Sequence, residues 1–441
     1  MKLKTFKIGG VHPPELKTAP SDRIITAPLP MEASVLLRQH IGAEAKPIVK
    51  VGDQVSRGQK IAQAPGAISA NVHAPISGKV KSIAPVATLQ GRPTNAILIV
   101  ATADDHDADE KARNAAPVPK DCNNLAPKDI TDAITEAGIV GMGGATFPTA
   151  VKLTPPPGSK AEILIINGCE CEPRLTCDAA LMRCHPDEVM AGIDLLRRGA
   201  QVDRAVIGIE DNKPNAIAAM TAAAKRYPGI SVQVLRTKYP QGGEKQLIQA
   251  ITGREVASGA LPISVGAIVQ NVATAYATYQ AIALSQPLIE RVVTIDAIGN
   301  FLVAIGMKTS AISADIPQPT AETNPTVAAI DVVAGGPMMG QSVVNIDGPV
   351  TKGFSGLSFV NNPLQFEPAP CIRCAECVRA CPMALEPYLI STYGRKGCPE
   401  EAKAIGALDC IECGSCNYSC PSARPILDYI RLAKMRIRAL K

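Results

Sequence analysis

The sequence predicts a multidomain α/β protein, in which β-rich units flank a parallel α/β domain and a cysteine-rich domain ends the chain. Three observations lead to this prediction. The chain has 441 residues, which is more than one compact core usually holds. Of these, 46% are hydrophobic and 19% charged, as in globular proteins. Strand-like and helix-like segments alternate through its middle. One cysteine run, C-x2-C-x2-C-x3-C-P, occurs twice near the end.

Composition and charge exclude several classes of function. Aromatic residues make up 3% of the chain, Trp is absent, and the net charge is +5. Proteins that bind nucleic acids typically use aromatic stacking and strongly basic surfaces, so we expect no nucleic-acid partner. The start, MKLKTFKIGG, lacks the apolar core of a signal peptide, and no run is long and apolar enough to span a bilayer. We therefore expect a protein that is cytosolic or peripheral to a membrane.

Residues 1–101 are predicted to form a lead-in and a small β-barrel. Short β-like runs in VKVGDQVSRGQKIA (49–62) and ISANVHAPISGKVKSI are broken by G-D and S-G turns. The pattern resembles the biotinyl and lipoyl carrier fold, which attaches its cofactor to a lysine at a hairpin tip. No lysine lies between Lys60 and Lys79, so we interpret the unit as a structural, lipoyl-like β-barrel hybrid.

The next segments predict a linker and then a parallel α/β domain. Residues 102–120 are acidic and then rich in Ala and Pro, which is typical of a solvated linker. Residues 121–286 alternate between the two periodicities, as a parallel sheet with crossover helices requires. The helix-like segments are ITDAITEAGI, DEVMAGIDLLRRGA and KPNAIAAMTAAAKRY, and the strand-like ones are AEILIIN, RAVIGIE and SVQVLRTKYP.

The last part of the chain predicts three further units. Residues 287–352 turn β-rich again, with RVVTIDAI, NFLVAI and DVVAGGPMM, and we interpret them as a β-grasp domain of the soluble ligand-binding type. Residues 364–425 hold both cysteine runs and predict a two-cluster, ferredoxin-like α-helical domain.

Residues 426–441 predict a basic C-terminal helix with Arg431, Lys434, Arg438 and Lys441 on one stripe. That stripe fits either an anionic docking surface or an ordinary solvated face.

The doubled run is typical of two cuboidal 4Fe–4S clusters. Two-residue gaps wrap three thiolates around one corner of a cluster, and the Pro after the fourth Cys turns the chain away. In two-cluster ferredoxins the fourth Cys of each run binds the other cluster. Structural zinc favours separated C-x2-C pairs or Cys with His, and zinc is therefore the weaker alternative. The crossed assignment gives Cys371, Cys374, Cys377 and Cys420 to cluster one, and Cys410, Cys413, Cys416 and Cys381 to cluster two.

The clusters carry single electrons, so a hydride donor would require a flavin between them. The candidate flavin segment is GIVGMGGATFPTAVKL (138–153), whose glycines permit a close approach to phosphate and whose Lys152 adds positive charge. It lacks the Rossmann spacing and the preceding strand. From the residues alone, the segment is either a turn or a phosphate-binding loop.

Two family resemblances favour the second interpretation. GGATFPTAVKL, INGCECEP, YPQGGEKQL and VQNVATA resemble the flavin- and NADH-binding subunit of respiratory complex I. The whole order, with GGVHPPELK, QHIGAEAKPIVKVGD, GIEDNKP, TKYPQGGEKQL, GGPMMG and CIECGSCNYSCP, resembles the C-subunit family of the Rnf complex, a membrane-bound, ion-pumping ferredoxin:NAD oxidoreductase. The resemblance covers nearly the full chain and implies a flavin/NADH domain of the complex I flavoprotein type.

The resemblance also implies roles for individual residues. Glu170 and Glu172 would act beside the isoalloxazine and nicotinamide rings. The expected FMN- and nucleotide-binding residues are Gly141, Gly143, Gly144, Phe147, Lys152, Asn167, Tyr239, Gly242, Gly243, Glu244, Gln270, Asn271 and Thr274.

We therefore expect a peripheral electron-transfer subunit that binds FMN and two 4Fe–4S clusters and uses NAD(H) as substrate. The resemblance implies that it lies on the cytoplasmic face of the bacterial inner membrane, with other subunits of an Rnf-type complex as partners and ferredoxin as an indirect one. A soluble flavin and iron–sulfur reductase, similar to cobalamin reductases, is the alternative enzyme. A non-catalytic scaffold built on the lipoyl-like barrel is a third possibility, which the missing lysine argues against.

Overall fold

The structure, a computed structural model, describes residues 3–316, 330–361 and 367–440. It confirms the predicted α/β class. The described residues form four sheets, and the parallel one lies in the middle of the sequence. Strands and helices are numbered below in chain order.

The N-terminal unit is a barrel made of two small sheets. Its order is β2-β8-β7-β4 in one sheet and β3-β5-β6 in the other, and Val35, Ile61 and Ile97 are fully buried between them. This arrangement confirms the predicted barrel hybrid. The elements are β1 Ile25–Thr26, β2 Glu32–Leu36, β3 Lys46–Pro47, β4 Gln54–Val55, β5 Lys60–Gln63, β6 Val72–His73, β7 Gly78–Ala87, β8 Pro93–Val100 and α1 Ala103–Asn114.

Helix α1 lies where the sequence predicted a solvated linker, so that prediction is wrong for residues 103–114. A capping box at Thr102 starts the helix. The carboxylate of Asp109 is buried and accepts hydrogen bonds from the amide (2.5 Å) and hydroxyl (2.7 Å) of Ser77. Asp109, Glu110 and Arg113 have partners elsewhere in the sequence, which composition alone does not show.

The central domain is a parallel sheet between two layers of apolar packing. The strand order is β11-β10-β9-β12, and every neighbouring pair is parallel, as predicted. Its elements are α2 Pro127–Glu136, α3 Thr149–Leu153, β9 Ile163–Asn167, α4 Cys177–Cys184, α5 Pro186–Gly199, β10 Ala205–Glu210, α6 Pro214–Ala224, β11 Ile230–Leu235, α7 Glu244–Thr252, the 3-10 turn Pro262–Val265, β12 Ala267–Asn271 and α8 Val272–Ala283. The carboxyl ends of these strands meet at one edge, where Asn167 lies opposite Asn271 in register.

A mixed six-stranded sheet follows, in the order β1-β14-β13-β17-β15-β16. It includes β1 from the lead-in and β17 from beyond residue 352, so it does not coincide with the predicted unit 287–352. Residues 317–329 lie outside the described residues, and the β-grasp assignment stays a prediction. The elements are β13 Glu290–Ile295, β14 Gly299–Ala304, the 3-10 turn Thr309–Ala311, β15 Ile330–Ala334, β16 Gln341–Ser342 and β17 Gly356–Asn361.

The cysteine-rich domain is helical, as predicted. Its elements are α9 Glu376–Ala380, α10 Pro387–Lys396, α11 Pro399–Ala404, the 3-10 turn Ala407–Asp409, α12 Ser415–Tyr418 and α13 Ile426–Ala439. Helix α13 belongs to this domain, because its Ile426, Ile430 and Ile437 are buried in the same core as Ile390 of α10.

The predicted basic stripe on α13 is not a free surface. Lys434 is buried and donates to the carbonyl of Cys410 at 2.8 Å and to the Glu412 carboxylate at 2.5 Å. Arg431 donates to the same carboxylate at 3.2 Å. The two interpretations offered for the stripe are therefore wrong at Lys434, whereas Arg431 is half-buried and paired. Lys441 lies outside the described residues.

Across the described ranges, none of the helices has the length and apolar character needed to cross a membrane.

Candidate functional site

The glycine-rich loop lies at the carboxyl edge of the parallel sheet, between α2 and α3. Two hydrogen bonds hold it in shape: the amide of Gly141 donates to the carbonyl of Phe147 at 2.8 Å, and the amide of Met142 donates to the hydroxyl of Thr274 at 3.0 Å. Thr274 is fully buried on α8. The loop is therefore fixed at both ends against the domain core.

Two glycines of this loop differ in their surroundings: Gly143 has a steric reason to be glycine, and Gly144 faces open space. A Cβ at Gly143 would lie 2.8 Å from the side-chain nitrogen of Asn271, which is too close for any other residue. Gly144 is exposed, and a Cβ at this position would have no atom within 4 Å. A backbone with this access fits a phosphate or a flavin edge.

Lys152 follows the loop on α3 and is not a free cation. Its ammonium donates to the carboxylate of Glu244 at 2.7 Å and to the carbonyl of Val269 at 3.3 Å. Beside it, the side-chain nitrogen of buried Gln270 has no hydrogen-bond partner among the described residues. An unpartnered buried donor is costly, so a bound acceptor at this place fits the site.

Glu170 is one of two carboxyls in the turn after β9, residues 170–175, which is called the acidic turn below. It accepts hydrogen bonds from the amides of Asp178 (2.6 Å) and Ala179 (3.3 Å) at the start of α4. Burial raises the pKa of Glu170 to about 7, and the Lys17 ammonium acts in the opposite direction. Asp178 in turn accepts a hydrogen bond from Asn271 at 2.8 Å, which connects this turn to the glycine loop.

Glu172 is the other carboxyl, and it binds a different part of the chain. It accepts hydrogen bonds from the amides of Met338 (3.1 Å) and Met339 (2.9 Å), and the hydroxyl oxygen of Tyr239 lies 3.3 Å from it. Burial raises its pKa to about 7, against the effect of these donors. Both carboxyls therefore titrate near neutral pH.

The segment that precedes α7, residues 239–243, builds the wall opposite the glycine loop and is called the flavin wall below. The side chain of Asn167 donates to the carbonyl of Gly242 at 2.9 Å, and the amide of Gly242 donates to the sulfur of Cys171 at 3.3 Å. At Gly243, a Cβ would lie 2.5 Å from the side-chain oxygen of Gln246, so another residue here would have to displace the Gln246 side chain. The strand end and this wall are thus joined directly.

Cluster two has its four predicted thiols around one cavity. Cys381, Cys410, Cys413 and Cys416 line it together with apolar side chains such as Leu385. The thiols that interact electrostatically with Cys416 are those of Cys410, Cys413 and Cys381. The fourth cysteine of the first run therefore faces the second run, as the crossed assignment requires.

Cluster one shows the same crossing. The thiols that interact with Cys377 are those of Cys420, Cys371 and Cys374. Cys371 is exposed, whereas Cys377 is buried. This set therefore lies at the surface of the domain, whereas three members of the other set are buried.

Within the described ranges, neither cysteine set forms a group of three ligand atoms that all lie within 4.8 Å of one another, whereas Glu170, Cys177 and Asp178 form such a group. The choice of clusters over zinc rests on the doubled cysteine run, whose spacing is typical of 4Fe–4S clusters.

The flavin wall and cluster two are in direct contact. Tyr239 is buried and its hydroxyl donates to the carbonyl of Cys413 at 2.7 Å. Val11, Tyr239, Ala380 and Cys413 form one small apolar core. The predicted flavin site and the predicted cluster two are therefore separated by single side chains.

A cavity of about 440 Å³ opens beside the glycine loop. Gly144 lines it on one side, Arg38 of the barrel on another, and Met339 and Gly353 of the six-stranded sheet on the third. Met339 also binds Glu172 through its amide. The cavity is within the size range of small-molecule sites, and Met339 connects its wall to the acidic turn.

The structure brings the residues singled out by the resemblance together at one edge, from Gly141 to Thr274. Their contact with a cofactor stays a prediction. Sequence reasoning missed Lys17, Asp178, Met338 and Met339, which bind the acidic turn. Lys17 and the two methionines lie in GGVHPPELK and GGPMMG, so the motifs were visible although their role was not.

Three family models match the chain: the RnfC barrel sandwich hybrid domain at 4–104, the Nuo51 FMN-binding domain at 134–280 and the 4Fe-4S dicluster domain at 363–421. The chain is 43% identical to the C subunit of the proton-translocating ferredoxin:NAD(+) oxidoreductase complex of Clostridium ljungdahlii, covering 99% of this chain and 95% of that one. It is 40% identical to the C subunit of the ion-translocating oxidoreductase complex of Rhodobacter capsulatus, covering 99% and 84%. It is 38% identical to the C subunit of the Na(+)-translocating ferredoxin:NAD(+) oxidoreductase complex of Acetobacterium woodii, covering 100% and 98%.

Proposed function

The chain belongs to the RnfC family, and from this membership we propose that it is the subunit through which an ion-translocating complex exchanges electrons with NAD(H). The proposal gives the chain three tasks: to bind the dinucleotide, to hold FMN at the carboxyl edge of the parallel sheet, and to hold two 4Fe–4S clusters. FMN, when bound, supplies the conversion between a two-electron hydride and single electrons. The relatives named above are all subunits of translocating complexes, and they give no support to a soluble reductase.

The observation that carries the proposal is the contact between the flavin wall and cluster two. The hydroxyl of Tyr239 reaches Cys413 at 2.7 Å and Glu172 at 3.3 Å, so one side chain touches both the acidic turn and a cluster ligand. A nucleotide site and a metal domain could share a chain without meeting. Here the segment before α7 and a cluster ligand meet at a buried junction, which suits electron transfer between the two sites.

The burial of the two cysteine sets supports an order of electron transfer. Cluster two lies next to Tyr239, and its Cys381, Cys413 and Cys416 are buried. Cluster one includes the exposed Cys371. We therefore place cluster two next to the flavin and cluster one at the surface where a partner subunit would exchange electrons.

The chain's own residues define where each substrate part would lie. Gly143 and Gly144 would accept the flavin close to the backbone, with Gln270 donating to an acceptor on it. The cavity beside Gly144 supports the binding of a dinucleotide, because it adjoins the glycine loop and carries Arg38 on its wall. Arg38 would attract the phosphates.

Partners and location follow from the family. The chain would bind other subunits of an Rnf-type complex as a peripheral subunit on the cytoplasmic face of the membrane. Ferredoxin would be a partner of the complex and reach this chain indirectly. NADH is its proposed direct redox partner.

Cofactor analysis of protein purified without oxygen tests this proposal. We expect about eight iron and eight sulfide per chain, as two 4Fe–4S clusters require, together with bound FMN. NADH should then bleach the flavin absorbance. Dithionite, which needs no nucleotide site, is the control for the presence of reducible cofactors. A protein that holds zinc in place of iron, or that dithionite bleaches and NADH does not, would contradict the proposal.

A further inference from the structure

The N-terminal segment 9–17 lies along the junction between the acidic turn and cluster two. The amide of Gly10 donates to the carbonyl of Ala380, next to a cluster ligand, at 2.9 Å. Val11 and Tyr239 exchange two backbone hydrogen bonds, each of 2.9 Å. The segment then continues to the turn after β9. It therefore contacts both the acidic turn and the residues beside cluster two.

Lys17 ends this segment with an unusual set of partners. Its ammonium donates to three carbonyl oxygens: those of Glu170 at 2.8 Å, Glu172 at 2.9 Å and Leu175 at 2.6 Å. All three belong to the acidic turn. Nearby, the amide of Arg174 donates to the carbonyl of Glu15 at 2.9 Å, which ties the same two segments once more.

The three acceptors indicate that Lys17 is charged. A protonated amine has three N–H donors and a neutral amine has two, so three short contacts to carbonyl oxygens match the ammonium form. Burial lowers the pKa of Lys17, and the Glu170 carboxylate opposes that effect. No salt bridge from Lys17 lies within 4.0 Å among the described residues, so its charge is not cancelled by direct contact with a carboxylate oxygen.

We propose that Lys17 is a positioning residue of the flavin site, whose ammonium holds the turn 170–175 in place and adds a positive charge that favours the reduced, anionic flavin. The inference rests on the proposed function, because it requires FMN at this turn. A positive charge stabilises the more negative of two redox states. A chain segment far away in sequence would thereby set both the shape and the potential of the site.

Two substitutions separate charge from shape. Lys17→Gln keeps amide donors and removes the charge, whereas Lys17→Arg keeps the charge. In Lys17→Gln, we expect the equilibrium constant for flavin reduction to fall about tenfold, which is about 30 mV for a two-electron couple. We expect Lys17→Arg to stay near the wild-type potential. The measurements are the flavin midpoint potential by spectroelectrochemistry, and FMN and iron per chain.

Lys7→Gln is the matched control. Lys7 belongs to the same lead-in and is exposed, so its replacement should leave potential, FMN and iron unchanged.

The outcomes distinguish the inference from the proposed function. If the wild-type protein holds FMN and reacts with NADH while Lys17→Gln keeps the wild-type potential, the inference alone is refuted. If the wild-type protein holds no FMN, the proposed function itself fails. If Lys17→Gln also loses its iron, the Lys17→Arg variant decides. A wild-type flavin potential in Lys17→Arg supports the inference, and a tenfold fall in its equilibrium constant for flavin reduction overturns it.

Discussion

Glu170 and Glu172 show how two neighbouring carboxyls of one turn acquire different tasks. Glu170 caps α4 through the amides of Asp178 and Ala179, and Glu172 holds the amides of Met338 and Met339. Burial raises the pKa of each carboxyl to about 7. A carboxyl with this pKa changes its charge within the physiological range, which makes the turn sensitive to pH.

Glu172→Gln should change the flavin midpoint potential at pH 8 and have little effect at pH 6. The pKa is raised, so the wild-type carboxyl is neutral below about 7 and negative above it. The negative charge opposes the anionic reduced flavin. The variant should therefore have the more positive potential at pH 8 alone.

The charged and titratable groups around Glu172 are the same in both proteins, namely Lys17, Tyr239 and Cys171. Glu170 also titrates near 7 in both proteins, so its effect on the flavin potential is common to the two. Equal differences at pH 6 and pH 8 would mean that the substitution acts through shape and not through charge.

At the scale of elements, short helices explain why the cysteine runs cross. Helix α9 carries Cys377 and ends before Cys381, and α12 carries Cys416 and ends before Cys420. The chain leaves each helix at its end, so the fourth cysteine faces the neighbouring run. Each thiol set therefore joins residues from both runs.

Single-cysteine variants test this crossing. Cys381→Ala should disturb the same cluster signal in electron paramagnetic resonance as Cys413→Ala, and Cys420→Ala the same signal as Cys374→Ala. The reason is that each pair contributes to one thiol set.

Cys398→Ala is the control, because this half-buried thiol of the same domain belongs to neither set. Matching signals for Cys381→Ala and Cys374→Ala would show instead that each run holds its own cluster.

At the scale of the whole molecule, a buried carboxylate joins three parts of the chain. Glu290 of β13 binds Arg57 of the barrel at 2.6 Å and Arg113 of α1 at 2.5 Å. Its side chain is 3% exposed. Barrel and six-stranded sheet also share one apolar core, which includes Val35 and Val293. The barrel is thus built into the molecule and not tethered to it.

Glu290→Gln should destabilise the protein by about 3 kcal/mol, because it removes the buried counter-charge of Arg57 and leaves Arg113 with the more distant Glu110 carboxylate, at 4.0 Å. The measurement is the urea concentration at the midpoint of release of the barrel, with limited proteolysis as the readout.

Glu136→Gln is the matched control. Its ion pair with Lys60 is exposed, with 64% of the Glu136 side chain accessible, and such pairs contribute less than about 1 kcal/mol. A similar loss in both variants would contradict the role of Glu290 as a buried tie.

Much of the organisation could be predicted from the residues because it depends on local patterns. Alternating periodicities predicted the parallel sheet, and the doubled cysteine spacing predicted two crossed thiol sets. Charged residues were harder to interpret. Asp109 and Lys434 look like solvated charges in sequence, yet both are buried, because their partners Ser77 and Glu412 become neighbours only after folding.

The sequence by itself determined the order of barrel, parallel α/β domain and cysteine-rich domain, the eight thiols and the motifs predicted for the nucleotide site, since these follow from spacing and composition along the chain. Only the tertiary structure decided that Lys17 lies under the acidic turn and that Tyr239 touches Cys413. Both contacts join segments more than 150 residues apart. Such pairs leave no periodic signal, because their geometry depends on how whole domains pack.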